Sequence, residues 1–127
     1  AFEKRERFAE QFPNARTKAS GLRVPLAVGD FMMLDAIQAS GGWAVAGREA
    51  SILPWMRRAA SLEGIAICPE TAICFDVLAQ LRDDGRIGPD EEIVVFNTGA
   101  AQKYIEAVEL DLPRIDKDAP IDYARLS

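Results

Sequence analysis

Apolar positions in this chain recur with two different periods, and the switch between them marks out its elements. Three short runs, Trp43 to Ala46, Ile65 to Cys68 and Ile93 to Phe96, are continuous and rich in β-branched or aromatic residues. Each is bounded by Gly, Pro or charged residues, the pattern of a short buried strand. Between and around them the spacing becomes helical. The first dozen residues read as a charged amphipathic helix with Phe2, Phe8, Ala9 and Phe12 on its apolar side, ended by Pro13-Asn14. Asp30 suits an N-cap for a helix through Phe31, Leu34, Ile37 and Gln38, which Ser40-Gly41-Gly42 closes. Ser51 to Leu62 puts Ile52, Trp55, Met56, Ala59 and Leu62 on one stripe, with Pro54 in the first turn where a missing N–H is tolerated. Pro69 opens another helix at the favoured first position and Glu70 suits its dipole; that helix runs through Ile73, Val77, Leu78 and Leu81 to about Gly85. Val24-Pro25-Leu26 reads as extended, Gly88-Pro89-Asp90 as a turn, and Gln102 to Val108 as a short helix.

Strands alternating with helices predict an α/β fold, a small mainly parallel sheet flanked by helices. Three strands of about four residues make so small a sheet that it reads as part of a larger one. Residues 1–108 carry this pattern, and 109–127 read as a polar, Asp-rich C-terminal tail, partly disordered. The chain opens without Met inside a polar, helix-like segment, as an interior cut or a processed terminus would leave it.

Composition narrows the function. With 127 residues and 49% hydrophobic content, the chain can bury one core. A net charge of -5, with scattered basic residues, argues against nucleic-acid or membrane-surface binding. No apolar run reaches the length of a membrane span. The absence of histidine removes Ser-His-Asp and Cys-His nucleophile systems and His-ligated zinc, so no metal site is expected. Cys68 and Cys74 read as reduced core thiols, which suits a cytoplasmic protein. The carboxylate pairs Asp83-Asp84 and Glu91-Glu92 sit in turn-like sequence and read as solvated loop charges.

The candidate chemistry lies where the run Ile93 to Phe96 stops at Asn97-Thr98-Gly99. Ligands of open α/β sheets bind at the carboxyl ends of strands. Thr98 would offer a hydroxyl there, and Gly99 would let backbone approach a bound group. The alternative for Thr98 is to cap its own turn, and the alternative for Glu70 is to serve only the helix dipole.

Four blocks, Ser20-Gly21-Leu22-Arg23-Val24-Pro25, Ser40-Gly41-Gly42, Leu62-Glu63-Gly64-Ile65 leading to Pro69-Glu70, and Asn97-Thr98-Gly99 followed by Lys103-Tyr104, stand in an order and spacing that resembles the C-terminal part of threonine synthase. The resemblance spans about Thr17 to Tyr104. It implies the tryptophan-synthase-β-like fold, fold type II of the pyridoxal-phosphate enzymes, with this chain as part of the large cofactor domain, roughly one third of the enzyme. It further implies pyridoxal phosphate as cofactor and conversion of O-phospho-L-homoserine and water to L-threonine and phosphate. The family's Schiff-base lysine, in a Ser-Phe-Lys-Asp-like motif, and its phosphate-cradling loop are absent from this sequence; Lys4, Lys18, Lys103 and Lys117 stand in other contexts. The chain alone is therefore expected to be inactive, its partner being the N-terminal part of the same enzyme. By position the resemblance gives Thr98 the pyridine nitrogen of the cofactor, with Asn97 and Gly99 shaping that contact. Glu70 lies near the cofactor's face in this reading, and Arg23 reaches a phosphate, a missing loop or a surface ion pair. Ala100-Ala101-Gln102 departs from the more Gly-rich family version, which puts close backbone approach to the cofactor in question. Alternatives are another pyridoxal-phosphate lyase, such as a cysteate synthase or a threonine dehydratase-like enzyme, and a non-catalytic α/β binding or assembly module. An uncovered apolar face would favour self-association.

Overall fold

Helices carry this structure, a computed structural model that describes residues 1–108 and 116–125. Three are regular: α1 (Asp30–Ser40), α2 (Ile52–Glu63) and α3 (Pro69–Asp83). Short 3-10 turns at Ser20–Leu22, Glu49–Ser51, Ala101–Lys103, Ile105–Ala107 and Tyr123–Arg125 join or flank them. The expected helix over Gln102 to Val108 is thus two separate turns. Part of the expected C-terminal tail, 109–115 and 126–127, lies outside the described residues.

Glycine ends each helix. Gly41 and Gly64 adopt the left-handed conformation at the ends of α1 and α2, with φ of 68° and 67°. Gly85 does the same two residues beyond Asp83, the end of α3, with φ of 69°. No Cβ penalty opposes these angles, so the chain leaves each helix cheaply. Pro69 takes the first position of α3 behind an extended Cys68. The cap of α1 is Gly29; Asp30 is the first helical residue, and its carboxylate accepts from the N–H of Phe31 at 2.7 Å and of Ala9 at 2.6 Å.

That second bond explains the fate of residues 1–12, which form no helix. Asp30 captures the Ala9 N–H, Pro25 O takes the Phe12 N–H at 2.7 Å, and Arg5 sits at φ 55°. The segment lies against α1 instead, with Phe8 and Phe31 rings 5.9 Å apart and Arg7 paired to Asp35 at 3.4 Å.

The core forms where α2 meets α3. Ala19, Ile52, Met56, Ile67 and Ala72 are buried together, and Trp55 stacks on Phe75 with centroids 5.9 Å apart. Leu62 falls off the expected stripe and is exposed. On α3 the most buried side chains include two polar ones, Thr71 and Asp76, while Ile73, Val77, Leu78 and Leu81 are only half-buried. Asp76 is fastened to the loop before α2. It accepts from Arg48 N at 2.7 Å, from Arg48 Nη2 at 2.7 Å and from Gln80 Nε2 at 2.9 Å.

The described residues do not form the expected parallel sheet. Among the described residues the only β pairing is a single antiparallel bridge, Ile67 to Ala100. Trp43 to Ala46 and Ile93 to Phe96 have no ladder partner, and Val94 and Phe96 are 80% and 79% exposed. A parallel strand is stable when a neighbour takes its N–H and C=O groups and both faces are covered. These runs have the composition of such strands, and the described residues supply neither condition. With α3 they border an open apolar groove of about 410 Å³.

Candidate functional site

The N-terminal turn of α3 gathers the polar groups of this site. The segment from Asn97 to Tyr104 passes beside it, tied down by the Ile67–Ala100 bridge and by Ala101 N–H donating to Ala66 O at 2.9 Å. Gly99 lies on Cys68: a Cβ at this position would stand 3.3 Å from Cys68 Cβ and 3.4 Å from its Sγ. A side chain here would be tight and would need Cys68 to give way by a few tenths of an ångström, so glycine eases this close crossing of two segments. Cys68 is fully buried, as the sequence reading expected, whereas Cys74 is exposed.

Thr71, 2% exposed, donates its hydroxyl to Asn97 Oδ1 at 3.0 Å. Cys68 Sγ stands 3.2 Å from the same Thr71 oxygen. Thr98 comes next, exposed, and its hydroxyl makes no hydrogen bond to any described residue. No hydrogen bond joins it to the following turn among the described residues.

Glu70 does more than favour the helix dipole. Its Oε1 accepts from Gly21 N–H at 2.7 Å, which joins the Ser20–Leu22 turn to α3. A side chain on Gly21 would put Cβ 2.9 Å from that oxygen. Oε2 is buried and makes no hydrogen bond. Burial raises the Glu70 pKa, but its own backbone N–H, that of Gly21, and the nearby Cys68 and Tyr104 side chains outweigh it and hold it below the usual value. Tyr104 is pushed above its ordinary value by burial first and then by the Glu70 charge. The thiol and the phenol thus face the carboxylate without completing a bond to Oε2.

Asn97, Thr98, Gly99 and Glu70 thus share one end of the molecule, around the start of α3. Sequence reasoning missed Thr71 and Tyr104 as members of this cluster and took Cys68 for packing alone. The one signal was the Cys68-Pro69-Glu70-Thr71 string, which puts two polar residues in a helical first turn beside a buried thiol. Arg23 borders a different cavity of about 610 Å³, shared with Arg16, Lys18, Glu49 and Glu106. The described residues provide no helix long and apolar enough to cross a membrane.

Residues 2–99 match the family described as pyridoxal-phosphate dependent enzyme. The chain belongs to that family. Membership makes its fold that of a fold-type II pyridoxal-phosphate enzyme, although the described residues build only the helical part of it. Among curated proteins, the chain is 35% identical over 103 residues to the threonine synthase of Methanocaldococcus jannaschii, covering 81% of this chain and 25% of that protein. It is 37% identical over 86 residues to the threonine synthase of Methanosarcina acetivorans, covering 68% of this chain and 21% of that protein. The chain thus spans a quarter or less of the length of these relatives. No solved structure matches it.

The residues present fit one edge of the family's cofactor. An exposed, unbonded hydroxyl at Thr98 can meet the ring nitrogen of pyridoxal phosphate. The four lysines are all exposed. A phosphate cradle is not among the described features of this end.

Proposed function

We propose that this chain is part of the cofactor domain of a threonine synthase, which converts O-phospho-L-homoserine and water to L-threonine and phosphate. The observation that carries the reading is the unbonded Thr98 hydroxyl, set between a hydrogen-bonded Asn97 and a Gly99 packed on Cys68. Relatives named as threonine synthases support it. When bound, pyridoxal phosphate supplies the electron sink for bond cleavage at the substrate's carbons.

In this reading Thr98 donates to or accepts from the pyridine nitrogen, and being neutral it does not hold that nitrogen protonated as a carboxylate would. Asn97 and Gly99 shape the backbone around it. Glu70, ionised and pinned by Gly21, lies toward the cofactor's face and keeps a negative charge at this edge. Residues 1–108 belong to the large cofactor domain and 109–127 form its tail. The lysine and the phosphate loop come from the rest of the same enzyme, which acts in the cytoplasm on a small-molecule substrate, so the chain alone is inactive.

The test is to incubate the purified chain with pyridoxal phosphate, reduce with borohydride, and map adducts against excess free lysine. Phosphate release from O-phospho-L-homoserine is followed in parallel. No stoichiometric adduct and no release are expected. One adduct at a single lysine, or measurable turnover, would show that the chain holds a complete cofactor site and would sink this account.

A further inference from the structure

We infer that Thr71 is a positioning residue for Thr98, acting through the hydrogen bond from its buried hydroxyl to Asn97. The inference rests on the reading of Thr98 as the residue that meets the cofactor.

Proton accounting gives the bond its direction. Thr71 has one hydroxyl proton, and it is donated to Asn97 Oδ1 at 3.0 Å. Cys68 Sγ lies 3.2 Å from the same Thr71 oxygen, a contact in which either atom can donate. The buried hydroxyl is thus bonded to an exposed amide, one residue before Thr98. Burying a hydroxyl is unfavourable unless it is bonded, and a valine would fill the same volume without that demand. Thr71 commits its buried group to a residue that is itself exposed.

Packing explains what this achieves. On the C-terminal side, Thr98 is followed by Gly99 on Cys68 and by the Ala101 bond to Ala66. On the N-terminal side, Ile93 to Phe96 has no ladder partner among the described residues. The Thr71–Asn97 bond is therefore the fastening on that side. Without it, Thr98 is held from one direction and its hydroxyl loses a fixed position.

The experiment uses the full-length enzyme carrying this segment, loaded with pyridoxal phosphate. Its readouts are the pH dependence of the bound cofactor's absorbance, the Kd for pyridoxal phosphate, and the thermal midpoint. Thr98→Ala sets the reference change in the absorbance profile. Thr71→Val is expected to move the profile in the same direction by a smaller amount and to weaken cofactor binding by about three- to tenfold, the effect of one neutral hydrogen bond. Thr71→Ser is expected to restore both. Adding Thr71→Val to Thr98→Ala should change the profile no further, because both act through one contact. An unchanged profile in a well-folded Thr71→Val, with Thr98→Ala shifted, overturns the positioning role and leaves the Thr98 reading standing. An unchanged profile in Thr98→Ala overturns both. Should Thr71→Val fail to fold, Asn97→Ala, at the exposed end of the same bond, decides on the same readouts.

Discussion

Asp76 offers the sharpest test of what holds this chain together. It is fully buried, and both carboxylate oxygens are occupied. Oδ1 serves Arg48 Nη2 at 2.7 Å and Nε at 3.1 Å, while Oδ2 serves Arg48 N at 2.7 Å and Gln80 Nε2 at 2.9 Å. Asp76→Asn keeps the shape but turns one oxygen into an NH₂ group. Whichever side it takes, two donors then face a donor. The Asp76 pKa falls from 3.8 to about 2; burial opposes that fall, and the side-chain and backbone bonds from Arg48 outweigh it. At about 1.4 kcal/mol per pH unit, that fall corresponds to roughly 2 kcal/mol at neutral pH. Because the Arg48 side chain is 62% exposed, water screens its end of the pair. We therefore expect Asp76→Asn to cost about 1–2 kcal/mol. The sign with pH follows from the depressed value. This stabilisation is complete above about pH 4 and disappears as pH falls through about 2. Urea denaturation followed by Trp55 fluorescence, at neutral and acid pH, measures both effects. A variant within about 0.5 kcal/mol of the parent at neutral pH, or one with the parent's full acid sensitivity, would refute the reasoning.

Three other perturbations report on separate features. Gly47→Ala would bring Cβ to 2.7 Å from Ile73 Cγ2 and 3.4 Å from its carbonyl oxygen, so a loss of about 1–3 kcal/mol is expected in the same denaturation assay. Gly64→Ala meets no atom within 4 Å but keeps a φ of 67°, and about 1 kcal/mol of backbone strain should appear as a lower thermal midpoint. Glu70→Gln should bring the Tyr104 titration, read by ultraviolet absorbance, part of the way back to its ordinary value, since burial remains when the charge is gone. The same variant should lose less stability in acid than the parent, because Glu70's depressed pKa stabilises the fold above its ordinary value of 4.5 and that contribution fades as pH falls.

The helices were legible in the sequence because their signals are local. Gly41 and Gly64 at the ends, Pro69 at the start of α3, and the Ile52–Met56 spacing each act within one or two turns. The strands were not, because pairing depends on partners far along the chain, and composition alone does not supply them. The helix expected over residues 1–12 failed for a related reason: Asp30, 21 positions after Ala9, takes that residue's N–H. At the site, the sequence pointed to Asn97, Thr98, Gly99 and Glu70 but not to the Thr71 hydroxyl that joins them. Nothing in a first-turn threonine says whether its proton goes to its own helix or to a segment 26 residues later.

The glycine stops also separate two clocks in the folding of this chain. Gly64 N–H closes on Ala60 O, and Gly42 N–H on Ile37 O, so each helix end forms with the helix itself, on the submicrosecond scale of local structure. The Ile67–Ala100 bridge must instead close a loop containing all of α3. Helix lengths are thus set by local bonds, whereas the Asn97–Gly99 end takes its place on Cys68 only once the chain has folded back across α3.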